Sequence, residues 1–174
     1  MPTRSQYFVT FIDDATRKVW VYTIKSKDET FACFQRLLSS VENQSGKKVK
    51  ALRSDNGGEY ISKQFADFWA EKGIKREFIA PYTPAQNGVA ERMNCTIQER
   101  LISMLSQSHF PQSFWVESLM IVVYLINRMP NASLQFEVPK ELWSGHPVSY
   151  HRLRTFVALR LMHMCLRSFV LSLI

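Results

Sequence analysis

Cysteine is scarce and unpatterned. Cys33, Cys95 and Cys165 are an odd number with neither a C-x-x-C pair nor metal-like spacing, which excludes a disulfide framework and reads as free thiols in a reducing compartment. Long apolar runs are lacking as well. The most apolar helix candidate, around Trp115–Met129, is interrupted by Glu117 and Asn127, and the apolar stretch Thr155–Ile174 carries Arg160, His163 and Arg167, so no membrane-spanning helix is expected. Met1–Gln6 is short and polar ahead of a strand-like run, which argues against a secretory signal. No internal repeat or low-complexity tract is visible. Acidic residues are outnumbered, 15 against 22 Lys and Arg, for a net charge of +7 and a pI near 9.5. That balance favours an anionic partner such as nucleic acid, although basicity of this size is also common in ordinary soluble proteins.

What is present is the material of one globular domain. The chain has 174 residues, 46% of them hydrophobic, with 12 Phe and 4 Trp, enough for a sizeable core. Tyr7–Ile12 and Val19–Ile24 are rich in β-branched and aromatic residues and read as an antiparallel hairpin. Asp28 is the expected N-cap of a helix in which Phe31, Phe34, Leu37, Leu38 and Val41 recur at helical spacing, ending at Ser45-Gly46. Lys48–Ser54 reads as a third strand. Phe65, Phe68 and Trp69 form the stripe of a short helix capped by Ser62 and stopped by Gly73, and Ile74–Ala80 follows as a strand. Pro81–Gly88, with two prolines and an Asn-Gly pair, is expected to be a mobile loop. A helix is then expected from Val89 to about Gln107, its stripe being Val89, Met93, Ile97 and Leu101, with Glu91, Cys95, Gln98 and Glu99 on other faces. Phe110-Pro111 breaks it, and Ser113–Arg128 brings Trp115, Leu119, Val122, Val123 and Ile126 inward. Pro130–Arg154 reads as irregular. The order of elements argues an α/β sheet with helices on its faces.

Two carboxylates stand out by context. Asp55 ends a strand and precedes Asn56-Gly57-Gly58, which sets it at the rim of a sheet. Thirty-five residues later, Glu91 sits in the expected first turn of a helix after a Pro/Gly/Asn loop. Hard divalent cations such as Mg²⁺ take oxygen ligands, and converging carboxylates supply them. Two metals about 3.5–4 Å apart can clamp the attacking and leaving oxygens of a phosphodiester, a site that needs more than two carboxylates. The bland alternatives are an Asx-turn for Asp55 and a favourable helix-dipole position for Glu91.

The runs Tyr-Phe-Val-Thr-Phe-Ile-Asp-Asp (7–14), Arg-Ser-Asp-Asn-Gly-Gly-Glu-Tyr (53–60), Thr-Pro-Ala-Gln-Asn-Gly-Val-Ala-Glu-Arg-Met-Asn (83–94) and Tyr-Leu-Ile-Asn-Arg-Met-Pro (124–130) closely resemble the integrase of copia-type LTR retrotransposons, over about Tyr7 to Phe156. The resemblance implies a ribonuclease H-like fold, a mixed sheet with helices on both faces. It also implies an Asp, Asp, Glu triad binding Mg²⁺ or Mn²⁺, and polynucleotidyl transfer that trims the 3′ ends of element DNA and joins them to target DNA. Asp55 matches the second Asp and Glu91 the Glu, as catalytic residues and metal ligands. Arg92, Arg100, Tyr82, Gln86 and Asn87 are the implied contacts to DNA. Lys47, Lys48, Lys50 and Arg53 read better as a solvated strand face, and Trp20, Trp69 and Trp115 as core.

Three departures qualify what the resemblance implies. The family's first Asp lies on a strand ahead of Tyr7–Ile12, in a segment resembling Asp-x-x-Gly-Pro, and Met1-Pro-Thr-Arg-Ser-Gln has no such strand. The first strand is therefore expected to be missing, and Asp13 and Asp14 are expected to serve turn bonding rather than catalysis. With two of three ligands the metal is expected to bind weakly, and the isolated chain to be inactive. Cys95 stands where the family usually has Arg or Lys, one turn after Glu91 on the same face. After Leu-Arg-Thr-Phe (153–156) the family usually continues Gly-Cys-x-Ala-Tyr. Codons for Ala-Tyr-Ala-His-Val read one base late give a text like Leu161–Cys165, so a frameshifted tail is expected and His163 and Cys165 need no metal role. The expected domains are a truncated catalytic core at 1–130, a helical or irregular extension at 131–156 and a divergent tail at 157–174. DNA and a homo-oligomer are the expected partners, with no membrane. The expected location is the nucleus or a cytoplasmic virus-like particle, without secretion. The alternative is a non-catalytic nucleic-acid-binding or interaction fragment of a decayed element.

Overall fold

In the computed structural model, residues 5–54, 63–78, 84–108, 111–151 and 153 are described. The chain begins with strands β1 (Tyr7–Ile12) and β2 (Val19–Ile24). They pair antiparallel, the Gln6 amide donating to the Ile24 carbonyl at 3.1 Å and the Asp13 amide to the Lys18 carbonyl at 2.9 Å. A 3₁₀ turn, Lys27–Glu29, leads into α1 (Thr30–Ser45). Asp28 lies inside that turn rather than capping α1. The N-cap position falls to Glu29, which makes no side-chain capping bond, because the extra turn moves the first α-helical residue one place along.

Strand β3 (Ala51–Ser54), helix α2 (Lys63–Lys72) and strand β4 (Lys75–Phe78) form a β-α-β unit. The two strands pair in parallel, with Arg53 opposite Glu77. β3 begins three residues and β4 one residue after the positions the sequence implies, and residues 79 and 80 of the expected strand 74–80 lie outside the described residues. Gly73 ends α2 at φ +64°, a left-handed conformation that glycine adopts without a Cβ clash. Among the described residues the strands form two pairs, β1 with β2 and β3 with β4.

Helix α3 (Pro84–Ser108) begins five residues before the position the sequence implies. Pro84, Ala85, Gln86, Asn87 and Gly88 are helical, not loop. A proline at the first helical position loses no intrahelical bond and has its φ already set, and Gly88 is carried in the helix interior at about 1 kcal/mol relative to alanine. A second 3₁₀ turn (Gln112–Phe114) precedes α4 (Trp115–Ile126). The stretch expected to be irregular contains α5 (Pro139–Ser144), which again starts on a proline and ends at a left-handed glycine, Gly145. Among the described residues no helix is long and apolar enough to cross a membrane. The tail 157–174, with its expected frameshift, lies outside the described residues.

The chain forms two compact units. One takes the described residues between 5 and 10 and between 22 and 94, and its interior is aromatic. Phe34 from α1 meets Phe65, Phe68 and Trp69 from α2, and Phe65 and Trp69 stack at 5.5 Å. The other takes the described residues between 11 and 21 and between 95 and 153. It buries Val19, Ile97, Leu101, Leu119, Val122, Val123, Ile126 and Val138. The stripe expected on α3 is therefore real from Ile97 onward, whereas Val89 is 39% exposed.

Candidate active site

Glu91 is an exposed side chain on α3. Because the helix starts at Pro84, Glu91 is its eighth residue, two turns in. Uncapped amides and the helix dipole act within the first turn, so the dipole account of this carboxylate loses its ground. The face it occupies continues through Asn94, Cys95 and Gln98, at helical spacings of three, four and seven. Ile97, fully buried, fixes the opposite face against the interior. The Thr10 hydroxyl on β1 donates to the Asn94 side-chain oxygen at 2.8 Å. That bond ties the turn after Glu91 to a strand of the hairpin.

Asp55 follows Ser54, the last residue of β3, and lies outside the described residues, as does Tyr82. Gln86 and Asn87 are on the first turn of α3, with side chains that lie outside the description. Arg92 is exposed beside Glu91. Arg100 is nine residues further along, about 13 Å down the axis at 1.5 Å per residue. Its guanidinium donates to the Met129 sulfur at 3.4 Å. Glu91 and Arg92 are thus brought together, and Arg100 is held apart from them. Cys95 is a free, exposed thiol one turn after Glu91.

Asp13 and Asp14 are used by the hairpin turn, as the sequence indicates. Asp13 accepts from the Thr16 amide at 2.8 Å and the Thr16 hydroxyl at 2.7 Å, and Asp14 pairs with Arg17. The basic residues around β3 are partly neutralised. Arg53 pairs with Glu77 at 3.1 Å, Lys48 with Glu42 at 3.0 Å, and Lys75 adds to Glu77 at 3.3 Å. Among the described residues no group of three or more His, Cys, Asp or Glu side chains is placed to hold a metal ion. The oxygen donors of Asp55 and Glu91 are of the kind a hard divalent cation takes, and the Glu91 residue is exposed on α3.

A polar constellation at the C-terminal end of α4 escaped the sequence reading. Asn127 is buried, with its side-chain oxygen accepting from the Val19 amide and its side-chain nitrogen donating to the Val19 carbonyl, both at 2.8 Å. One amide thus satisfies the edge of β2 as a neighbouring strand would. Lys18 is 7% exposed, and its ammonium lies 4.5 Å from the ring centres of both Trp20 and Trp143. The signal in the sequence was slight. Lys18 and Trp20 share a strand face at a spacing of two, but nothing local announces that α5 delivers Trp143 to them. Trp20, expected as core, is half-buried and meets Trp143 edge to face at 5.0 Å.

Residues 1–84 match the integrase core domain family, a span that includes Asp55 and stops short of Glu91. The chain is 51% identical over 152 residues to a retrovirus-related Pol polyprotein from transposon TNT 1-94 of Nicotiana tabacum, covering 87% of this chain and 11% of that protein. It spans about a tenth of the length of the curated relatives it matches. Among solved structures it resembles a chain of the simian T-cell lymphotropic virus intasome bound to a PP2A regulatory subunit. There the TM-score is 0.64 at 18% identity, covering 85% of this chain and 50% of that one. It also resembles the HTLV-2 integrase catalytic core domain in a trimeric form complexed with magnesium, at a TM-score of 0.58 and 20% identity, covering 76% and 80%. Likenesses at this identity establish the fold alone, and that fold is the ribonuclease H-like one of integrase catalytic cores.

Proposed function

Because this chain belongs to the integrase core family carried by the Pol polyproteins of plant copia-type transposons, we propose that it is the part of such a polyprotein that holds element-end DNA and supplies two of the carboxylates for joining it to target DNA. The observation that supports this reading is the 51% identity over 152 residues, a span long enough to take in the contexts of both Asp55 and Glu91. Asp55 and Glu91 would hold Mg²⁺ or Mn²⁺, which when bound stabilises charge on the phosphodiester oxygens and lowers the pKa of an attacking hydroxyl. Glu91 presents its carboxylate from a rigid helix tied to β1 through Asn94 and Thr10. Arg92 and Tyr82, with Gln86 and Asn87 from the start of α3, would contact the phosphates of the DNA end, and Arg100 would extend that track along the helix. In this reading residues 1–130 are the core, 131–156 an extension and 157–174 a divergent tail. The protein would assemble with copies of itself, in the nucleus or a cytoplasmic virus-like particle.

The second reading is a non-catalytic nucleic-acid-binding fragment. It is supported by the use of Asp13 and Asp14 in the hairpin turn, which leaves the 174-residue polypeptide with two of the family's three carboxylates. A strand-transfer assay with labelled element-end DNA and Mn²⁺ separates the two. The polypeptide alone is expected to bind DNA without joining it. Extended upstream to supply a third carboxylate, it should join the DNA and lose that activity on Asp55→Asn or Glu91→Gln. Joining that survives both substitutions would refute the catalytic assignment.

A further inference from the structure

Three cations are gathered at one corner of the unit formed by residues 11–21 and 95 onward. Asn127 is the reason. Its side chain bonds both backbone groups of Val19, next to Lys18, and its carbonyl accepts from the Lys140 amide at 2.8 Å. Arg128 follows it directly in the chain. One residue therefore fixes where Lys18, Arg128 and Lys140 sit. Lys140 and Trp143 are three apart on α5 and share a face, and Trp143 lies against the Lys18 ammonium. Arg128 stacks on Tyr124, 3.5 Å from its ring centre, and Tyr150 donates to the Arg128 carbonyl at 2.8 Å.

The charge of this corner is not balanced. Among the described residues none of the three cations forms an ion pair within 4 Å. Asp13 is the acid near enough to act on Lys18, and its carboxylate is engaged by Thr16. Aromatic rings face Lys18 and Arg128, but a ring offers a cation a quadrupole and not a charge. Lys140 and Arg128 are half-buried, with part of each side chain still reaching solvent. Partly desolvated cations held together in this way gain most from an anion that can bond more than one of them, and the tetrahedral phosphate oxyanion has the oxygens to do so.

We propose that Arg128 and Lys140, with the buried Lys18 beneath them, form a phosphate-oxyanion site that uses neither the Asp55 nor the Glu91 carboxylate. Arg128 and Lys140 make the contacts, and Lys18 adds field from below. Burial, then Lys140, then Arg128 lowers the Lys18 pKa to about 7, so an anion here would return Lys18 to its charged form. The site requires only phosphate chemistry and does not rest on the integration reading. A phosphodiester of nucleic acid and free inorganic phosphate are two sources of the same group.

Site-resolved lysine acylation of the full chain, read by peptide mass spectrometry, tests this. An ammonium bonded to phosphate acylates only through its free fraction, so nine-tenths occupancy gives about tenfold protection. Saturating inorganic phosphate, compared with chloride at the same ionic strength, is expected to protect Lys140 by about that factor, while Lys48, on the surface, is unchanged. A short DNA duplex in place of phosphate identifies the source. Protection by duplex alone indicates nucleic acid, by phosphate alone a free oxyanion, and either supports the site. Arg128→Gln should abolish protection at Lys140. Arg128→Lys, which keeps the charge, should retain part of it, and near-ultraviolet circular dichroism of the Trp20–Trp143 pair checks that both variants fold. Equal acylation of Lys140 with and without either ligand, or protection indifferent to Arg128→Gln in a folded variant, overturns the proposal.

Discussion

The two compact units close their interiors by different physics. Between α1 and α2 the work is done by ring area. Phe34, Phe65 and Trp69 are buried against one another and Phe68 flanks them, with no titratable group required. Between β2, α4 and α5 the apolar stripe of α4 is joined by a buried amide, Asn127, and a buried amine, Lys18. Contact area is lost in proportion to what is cut away and is indifferent to pH. A polar hub fails all at once when a partner is removed, and its stability follows protonation. The aromatic interior should therefore behave as generic core, and the Asn127 corner as a site whose polar groups have a use beyond stability.

Breaking the aromatic side should produce the largest effect. Phe34 is 2% exposed, and truncating a buried phenylalanine costs about 3–5 kcal/mol. Phe34→Ala is expected to lower Tm by roughly 10 °C, by the same amount at pH 6 and pH 9, in a thermal melt. On the polar side, Asn127→Ala strands the Val19 amide and carbonyl, each orphaned group costing about 1–3 kcal/mol. Together they cost about 2–6 kcal/mol, so the Tm of this variant should fall by about as much as that of Phe34→Ala. A loss below about 1 kcal/mol would mean that water replaces the amide and that the hub is less demanding than its geometry implies.

This contrast also decides what could be read from the sequence. The stripe Phe34, Leu37, Leu38 and the pair Phe65, Trp69 follow from helical spacing alone, because burial there needs only area on one face. The hairpin, the carboxylate-bearing helix and the turn role of Asp13 were legible for the same kind of local reason. The start of α3 at Pro84 was not, because proline and glycine argue for a loop wherever they cluster, and only the position of a proline relative to the helix start reverses that reading. Lys18 and Asn127 were illegible for a deeper reason. Their roles depend on partners 108 and more residues away, Asn127 with Val19 and Lys18 with Trp143, and no local pattern carries that pairing. The candidate carboxylates stood out through resemblance and spacing, and Glu91 gains from the structure a position beyond the first turn.

Lys18 sharpens the comparison, because its substitution should act in the opposite direction. A lysine whose folded pKa falls from 10.5 to about 7 binds fewer protons in the native state than in the unfolded one between those values. Stability therefore rises as pH climbs from about 7 to 10.5, and the penalty is fully present below 7. Lys18→Met keeps the stem against Trp20 and Trp143 and removes the charge. At pH below 7 it should gain on the order of 1–2 kcal/mol, since apolar replacement of a buried charge is neutral or stabilising. The gain should shrink toward zero near pH 10.5. A variant less stable than wild type at pH 6 would show that the two tryptophan faces more than offset the desolvation of the ammonium.

The smallest effect belongs to the exposed ion pairs of β3 and β4, which set the lower end of the scale. Arg53 and Glu77 are register partners across the parallel ladder, and the hydrogen bond from Arg53, followed by that from Lys75, holds the Glu77 carboxyl below its ordinary value. Because the folded pKa is depressed, the contribution is present above the unfolded value of about 4.3 and is lost as pH falls through the folded one, the opposite end of the pH scale from Lys18. Both partners are open to solvent, where salt screens the attraction and ordering two side chains offsets much of it. Glu77→Gln should therefore move Tm slightly at low ionic strength and not measurably in high salt, with no change at pH 9 relative to pH 7. A shift that persists in high salt would mean that this pair is shielded from water, and would place the β3–β4 ladder, which leads to Asp55, with the polar corner rather than with the solvated surface.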